Sequence, residues 1–377
     1  MILLAAPATD RSGNDTDDFH HLFLNDLPLM DVRAPVEFEN GSFPTAFNLP
    51  LLSDDERHHI GITYKNEGQE AAIKLGHKLV SGDIKLQRMK SWSAFAKEHP
   101  NGYLFCFRGG LRSHIVQEWM KVEGINYPLI KGGYKAMRRF LIEKLDHLVA
   151  TKNFIVISGR TGIGKTQVIQ ELQNSIDLEG LARHRGSSFG QRLTPQPCQI
   201  DFENVLAIRL MKVSNNSESP IFFEDEGHIV GKCALPLSLL EGLRRWPVVM
   251  LEETLESRIA NVQKDYVTDM LVEYNCAYGQ SGFKELAAFL RNSLHRIRKR
   301  LGGVQYEKVS SLMNTALSEQ EQTGDESLHR LWIEELLVKY YDPMYEYQFS
   351  QKEGRVLFKG GRREVLEWCR LYNSSTA

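Results

Sequence analysis

Short uninterrupted apolar runs punctuate the first two thirds of the chain. Leu27-Pro-Leu-Met-Asp31, Tyr103-Leu-Phe-Cys106, Phe154-Ile-Val-Ile-Ser158 and Ile221-Phe-Phe223 are each bounded by polar residues or glycine. Runs of this length read as buried strands. Two of them lead through a glycine-rich turn into an amphipathic helical pattern. One helix is expected from about Ser113 to Val122, the other over Gln167–Asn174. Strand, turn and helix in alternation predict parallel sheets covered by helices. Later the period changes. Phe283, Leu286, Leu290, Leu294, Ile297 and Leu301 step by three or four residues and form one apolar stripe, and the stretch from Glu252 to Tyr341 reads as mostly helical.

The pattern predicts an α/β chain of two domains. Residues 1–20 are polar and are expected to be a loose lead-in. Residues 21–147 form the first domain and 148–377 the second, whose C-terminal part is largely helical. A helix over Phe140–Asn153 bridges them. A length of 377 residues suits two domains at roughly 100–200 residues each.

Composition narrows the setting. With 42% hydrophobic and 25% charged residues the chain is an ordinary globular one. No run approaches the roughly 20 apolar residues that span a bilayer, so no membrane role is expected. Met1 to Pro7 is apolar but lacks a basic flank, which argues against a signal peptide. The five cysteines are scattered, with no CxxC pair, so neither a zinc site nor a disulfide framework is expected. Such usage fits a reducing cytoplasm. The net charge of −2 leaves a local nucleic-acid footprint open.

Cys106-Phe-Arg-Gly-Gly-Leu-Arg-Ser113 follows a strand and opens a helix. Gly109 and Gly110 let the backbone curl so that N–H groups point inward, and the helix adds its positive end. Arg108 and Arg112 add full charges. A cysteine at the base of such a cup suits a nucleophile or chalcogen acceptor. The plain alternative is a small buried cysteine beside a structural turn; the paired glycines and arginines argue against it.

Gly159-Arg-Thr-Gly162-Ile-Gly164-Lys165-Thr166 matches G-x-x-x-x-G-K-[ST] at every fixed position, between an apolar strand and a helix. Backbone N–H groups of such a loop cradle a di- or triphosphate and the lysine reaches the terminal phosphates. The hydroxyl of Thr166 would ligate Mg²⁺ where the ligand carries one; no dedicated protein metal site is expected. A partner carboxylate is expected at the end of another strand, and Glu224 and Asp225 are the candidates. A P-loop implies that a phosphorylated ligand is held, not that ATP is hydrolysed.

The cysteine loop, with the upstream stretch Asp31-Val-Arg-Ala-Pro-Val-Glu37-Phe-Glu-Asn-Gly41-Ser-Phe-Pro44-Thr-Ala46-Phe-Asn48-Leu-Pro50, resembles the rhodaneses. Ser42-Phe43 departs from their usual His-Ile. A rhodanese-like three-layer domain followed by a P-loop parallel-sheet domain is an uncommon pairing. Together with Gly180-Leu-Ala-Arg-His-Arg-Gly-Ser-Ser-Phe-Gly190 and Tyr340-Tyr-Asp-Pro-Met-Tyr345, it resembles the tRNA 2-selenouridine synthases over nearly the whole chain.

That resemblance implies a tRNA substrate with a 2-thiouridine wobble base and two co-substrates, geranyl diphosphate and selenophosphate. A selenophosphate-supplying enzyme is the implied partner. Catalytic roles fall to Cys106, Arg108 and Arg112, and diphosphate binding to Gly159, Gly162, Gly164, Lys165 and Thr166 with Glu224 or Asp225.

Candidate tRNA or substrate contacts are Arg183, His184, Arg185, Ser187 and Ser188, then Arg296, Arg298 and Arg300 in a basic block with Arg291, His295 and Lys299, and Tyr341. The block reads equally as a solvated helix face. Tyr340, Tyr341, Tyr345 and Tyr347 suit a helical core at least as well as base stacking. His228, Cys233 and the remaining cysteines read as structural. Two other functions compete: an NTPase or kinase with a regulatory cysteine module, and a non-catalytic tRNA-binding sulfur-relay adaptor.

Overall fold

The computed structural model describes residues 14–216, 219–350 and 352–376, with the side chains of 347, 348, 350 and 373–376 excepted. Met1–Pro7 and the Tyr347 side chain therefore lie outside the described residues. The chain forms two compact units. One comprises Met1–Leu145 with Glu203–Ile208, the other Asp146–Phe202 with Arg209–Ala377. The division falls inside the helix Gly133–Thr151. Arg138 donates to Asn204 at 2.9 Å, and Asn204 donates to the Ser42 carbonyl at 2.7 Å, so the first unit is discontinuous in sequence.

The first unit is built on β1 (Leu29–Asp31), β2 (Ala46–Asn48) and β3 (Tyr103–Phe105), all parallel in the order β2-β1-β3. Single bridges extend the sheet, Leu129 beside Leu104 and Thr16 beside Ile130. The lead-in expected to be loose is thus partly structured. Asp15 accepts from the Leu129 amide at 3.0 Å and from Gln117 at 2.9 Å, which leaves those edge groups satisfied. Helices Asp54–Glu67, Gln69–Leu79, Gly82–Glu98 and Leu111–Val122 surround the sheet. Ser53 starts the first of them with a reciprocal cap, its hydroxyl accepting from the Glu56 amide at 3.2 Å while the Glu56 carboxylate accepts from the Ser53 amide at 2.7 Å. Met30, Trp92, Leu104, Val116 and Met120 fill the core.

The second unit carries β4 (Phe154–Ser158), β5 (Ser175–Ile176), β6 (Ile221–Glu224), the hairpin β7 (Ile229–Val230) and β8 (Cys233–Ala234), β9 (Val248–Leu251) and β10 (Val356–Gly360). Apart from the hairpin, the strands form one parallel sheet ordered β10-β9-β4-β6-β5. Strands β4, β6 and β9 are fully buried, as their unbroken apolar runs require of central parallel strands.

The helical region lies between β9 and β10, and the chain then returns to complete the sheet edge and ends in the helix Arg362–Thr376. It is therefore an insertion, not a terminal extension. The stripe read from periodicity faces its core. Leu286, Leu290, Leu294 and Ile297 are buried against Met313, Trp332, Leu336 and Tyr340, while Phe283 and Leu301 pack at the margin. Each fully buried aliphatic side chain contributes about 1.5–3 kcal/mol. Two π-helical turns, Lys264–Thr268 and Leu337–Tyr341, interrupt these helices. Among the described residues no helix is long and apolar enough to cross a membrane.

Candidate functional sites

Cys106 leaves β3 at the end of the first sheet and is buried. Gly110 caps the following helix, Leu111–Val122. Gly109 turns the loop at φ 62°, where a Cβ would strike the Gly132 amide at 2.6 Å. From the other side Gly133, at φ 57°, approaches so closely that a Cβ would lie 2.2 Å from the Cys106 carbonyl. The amides of Tyr134 and Lys135 donate to the carbonyls of Cys106 and Phe107 at 2.9 and 3.0 Å. Ser113 is fully buried, its Oγ 3.3 Å from the Cys106 sulfur and 2.9 Å from the Gly110 carbonyl it donates to. The loop is thus braced on both flanks.

Its two arginines differ. Arg108 is exposed, whereas Arg112 is held by Glu37 through contacts of 2.5 and 3.0 Å. Burial would raise the Glu37 carboxyl, but Arg112, with the Ala34 amide and Arg57, outweighs it and holds the group below the usual carboxylate range. Part of the cationic charge expected around Cys106 is therefore neutralised, and Arg112 is oriented by a fixed partner. The upstream segment proves to be scaffold. Arg33 is buried against Asp31, stacks over the Tyr134 ring at 3.8 Å and donates to the Gly41 carbonyl at 2.8 Å. Asn48 donates to the carbonyls of Asp31 and Arg33.

A cavity of about 580 Å³ opens beside this loop, lined by Cys106, Arg108 and Arg112 at one end and largely by apolar side chains elsewhere.

The second site surrounds the P-loop. Gly162 at φ 77° packs so tightly that a Cβ would meet the Arg258 carbonyl at 2.8 Å and Val262 at 2.6 Å. Gly164, left-handed at φ 91°, caps the helix Lys165–Glu171. Lys165 lies 3.4 Å from the Gly159 carbonyl. Burial opposes its charge, but Tyr345 and the carboxylates of Glu226, Glu179 and Asp225 hold the ammonium above the usual lysine range.

Three glutamates converge here. Oxygens of Glu179, Glu224 and Glu226 lie within 4.8 Å of one another. Thr166 donates to Glu179 at 3.1 Å and lies 3.5 Å from Glu224. Burial raises all three carboxyls; Asp177 adds to it at Glu179, and Glu179 adds to it at Glu224 and at Glu226, which is pushed up to about 8. Of the two acids expected after β6, Glu224 is the one beside Thr166. Asp225 instead pairs with Ser158 and Lys352.

Sequence reading missed Glu179 and Glu226 as site residues. Glu226 follows the two candidates directly, but Glu179 stands alone in a helix and had no spacing to mark it. Hard oxygen donors of this number, converging beside a P-loop hydroxyl and repelling one another, fit Mg²⁺.

A second cavity surrounds the P-loop, and Arg185, Gly186 and Ser187 of the Gly180–Gly190 segment form part of its wall. Arg185 donates to the Asp265 carbonyl at 2.6 Å, Ser187 bonds Tyr266 at 2.7 Å, and the Ser188 carbonyl accepts from Arg296 at 2.7 Å. Phe189 anchors the segment in the helical core, stacked on Trp332 at 5.7 Å. Arg183 sits in the left-handed region at φ 52° and is exposed. Buried His184 has its imidazole held below the usual histidine range by burial, with Arg296 and Arg192 adding to it.

The arginines of the basic block do not act together. Arg300 lines the cavity, Arg296 secures the Ser188 loop, and Arg298 lies 5.3 Å over the Tyr306 ring. Tyr340 and Tyr341 belong to the helical core, but Tyr341 and Tyr345 also line the cavity. Its volume is about 1250 Å³, above the roughly 300–1,000 Å³ usual for small-ligand clefts. Lys165, Arg185, Lys264, Arg300, Lys352 and Arg355 supply positive charge on its walls.

A family model described as the tRNA 2-selenouridine synthase AAA domain matches residues 152–376. The protein of Marinobacter nauticus bearing the name tRNA 2-selenouridine synthase is 53% identical over 362 residues, covering 96% of this chain and 99% of its own. Proteins of the same name from Pseudomonas fluorescens and Bordetella bronchiseptica are 50% and 51% identical, covering 96% and 94% of this chain and 99% and 97% of theirs. Similarity of this extent, running through both the cysteine loop and the P-loop, makes the chain a member of the tRNA 2-selenouridine synthase family.

Proposed function

We propose that the chain converts the wobble 2-thiouridine of tRNA to 2-selenouridine in two chemical steps, one at each site. The observation that carries the reading is the pairing, in one chain, of a braced thiol loop with a P-loop whose lysine, hydroxyl and glutamates are all present.

In the first step the C2 sulfur attacks the geranyl carbon bonded to diphosphate. The carbon–oxygen bond breaks and pyrophosphate leaves with the electron pair, while the base loses its N3 proton. Lys165 and the loop amides stabilise the charge growing on the departing oxygen. Mg²⁺, when bound, would be held by Thr166 with Glu179, Glu224 and Glu226 and would neutralise charge on the diphosphate.

A thiocarbonyl sulfur is a poor leaving group; alkylation makes C2 electrophilic and the thiol able to depart. In the second step the selenium of selenophosphate attacks C2 and geranylthiol leaves with a proton. Water then cleaves the selenium–phosphorus bond to give phosphate. The loop of Cys106, Arg108 and Arg112 serves this step and receives the selenium donor. The selenium of selenophosphate is supplied by a separate enzyme. Arg185 and Ser187 stand with Arg300 and Tyr341 as the substrate side of the P-loop cavity, and Arg183, His184 and Ser188 flank them in the same segment as further candidate tRNA contacts.

Mass spectrometry of nucleosides tests the reading. Thiolated tRNA incubated with the protein and geranyl diphosphate should yield S-geranyl-2-thiouridine, and with selenophosphate added, 2-selenouridine. Unchanged 2-thiouridine alongside nucleotide hydrolysis would favour the NTPase reading, and unchanged base with tRNA binding alone the adaptor.

A further inference from the structure

The two-step reading leaves one group without a place. When selenium reaches C2, the base still carries a ten-carbon apolar chain on its sulfur, and that chain must lie close to Cys106. The cavity beside the cysteine loop has the volume and the lining for it. The hairpin of helices Asp54–Glu67 and Gln69–Leu79, turned at Gly68 with φ 87°, supplies one wall through Ile60, Tyr64 and Ile73. Leu52, Ile115 and Trp119 supply others. No carboxylate lines it, and its charged groups, Arg108 and Arg112, gather at the Cys106 end.

The cavity is therefore polarised, with Arg108 and the Glu37-paired Arg112 where an anionic selenium donor would enter and, apart from Gln69 and His77, apolar side chains beyond. Two large apolar side chains at its lining remain substantially exposed, Tyr64 at 58% and Leu111 at 49%. Water-exposed apolar groups beside a recess favour an apolar occupant. At about 580 Å³ the space lies within the usual range for small ligands. A nucleic-acid backbone, being polar and anionic, gains nothing from such walls.

We propose that this cavity holds the geranyl chain of the S-geranylated base during selenium-for-sulfur exchange, placing the departing geranylthiol beside Cys106. The inference rests on the two-step reading. It assigns the recess to the thioether, not to geranyl diphosphate, whose diphosphate belongs at the P-loop.

The test uses the full-length protein and two tRNA substrates prepared in advance, one with S-geranyl-2-thiouridine and one with S-methyl-2-thiouridine, each with selenophosphate. The readout is the ratio of 2-selenouridine formation rates from the two. Wild type should prefer the geranyl substrate at least tenfold. Ile73→Trp, which fills the recess, should lower that ratio at least tenfold, and the milder Ile60→Gln should lower it in the same direction if the tryptophan variant does not fold. A ratio unchanged in folded variants overturns the proposal and leaves the two-step reading standing. Failure of wild type to form 2-selenouridine from either substrate overturns both.

Discussion

Arg258 grips Asp342 with both terminal nitrogens, at 3.1 and 2.6 Å, and gives its Nε to the carbonyl of Thr161 in the P-loop at 3.0 Å. Asn261 adds a bond to the Gly162 carbonyl at 2.9 Å. The phosphate loop is therefore held in shape by the helical insertion, and the Tyr340–Tyr345 segment matters through Asp342. Removing one partner of a buried ion pair strands the other and costs about 3–5 kcal/mol. Asp342→Ala should lower stability by that order and weaken diphosphate binding. Calorimetric titration with geranyl diphosphate, alongside a denaturant melt, checks both.

Gly133 makes a second prediction. It lies 24 positions beyond Gly109, yet a methyl group there would sit 2.2 Å from the Cys106 carbonyl, at a φ of 57° that disfavours any side chain. Gly133→Ala should displace the cysteine loop at a cost of order 1–3 kcal/mol. Selenium incorporation should fall while geranylation continues. Equal loss of both steps would mean that the loop does not serve the second step alone.

The glutamate cluster gives a pH dependence with a definite sign. Glu226 is raised from the usual carboxyl range to about 8 by burial and by Glu179, so the folded protein binds more protons than the unfolded chain between these values. Without metal, stability should decline as pH rises through that window. Mg²⁺ competes with the protons, so its affinity should increase with pH up to about 8 and its binding should release protons. Calorimetry in buffers of different ionisation enthalpy measures that release. In Glu226→Gln it should shrink, and the metal-free protein should melt higher.

His329 works in the opposite direction. Its Nδ1 accepts from the Trp332 indole at 2.8 Å, which leaves Nε2 to donate to Gln320 at 2.8 Å. Burial lowers its pKa to about 4. The unfolded chain then binds the extra proton first, and stability should be lost as pH falls from about 6.5 towards 4. His329→Gln should flatten this acid limb, as followed by circular dichroism melts.

How much of this was legible beforehand depended on whether function was encoded locally. The cysteine loop and the P-loop were readable because strand, glycine turn and helix lie next to one another in sequence. The Leu286–Ile297 stripe was readable because period 3.6 is local. Glu37 holding Arg112, Glu179 beside Thr166 and Arg258 joining Asp342 to Thr161 were not, since each contact joins segments that only tertiary folding brings together. The surroundings of the basic block were not legible either. Arg298 is two positions from each of the others and turns to another side of the helix, while Arg296 and Arg300, one turn apart, meet different neighbours, the Ser188 carbonyl and the P-loop cavity. Thr16 joined the sheet although its neighbourhood is polar, because its backbone, not its side chain, makes the pairing.

The division of labour between the two sites is the central claim, and one measurement tests it most directly. Nucleosides are analysed by mass spectrometry after parallel reactions of Cys106→Ser and Lys165→Ala with thiolated tRNA, and again with tRNA already S-geranylated. Cys106→Ser should accumulate S-geranyl-2-thiouridine and form no 2-selenouridine from either substrate. Lys165→Ala should leave 2-thiouridine unchanged yet convert the pre-geranylated tRNA. Loss of both steps in either variant, or selenium incorporation by Cys106→Ser at the wild-type rate, would contradict the account.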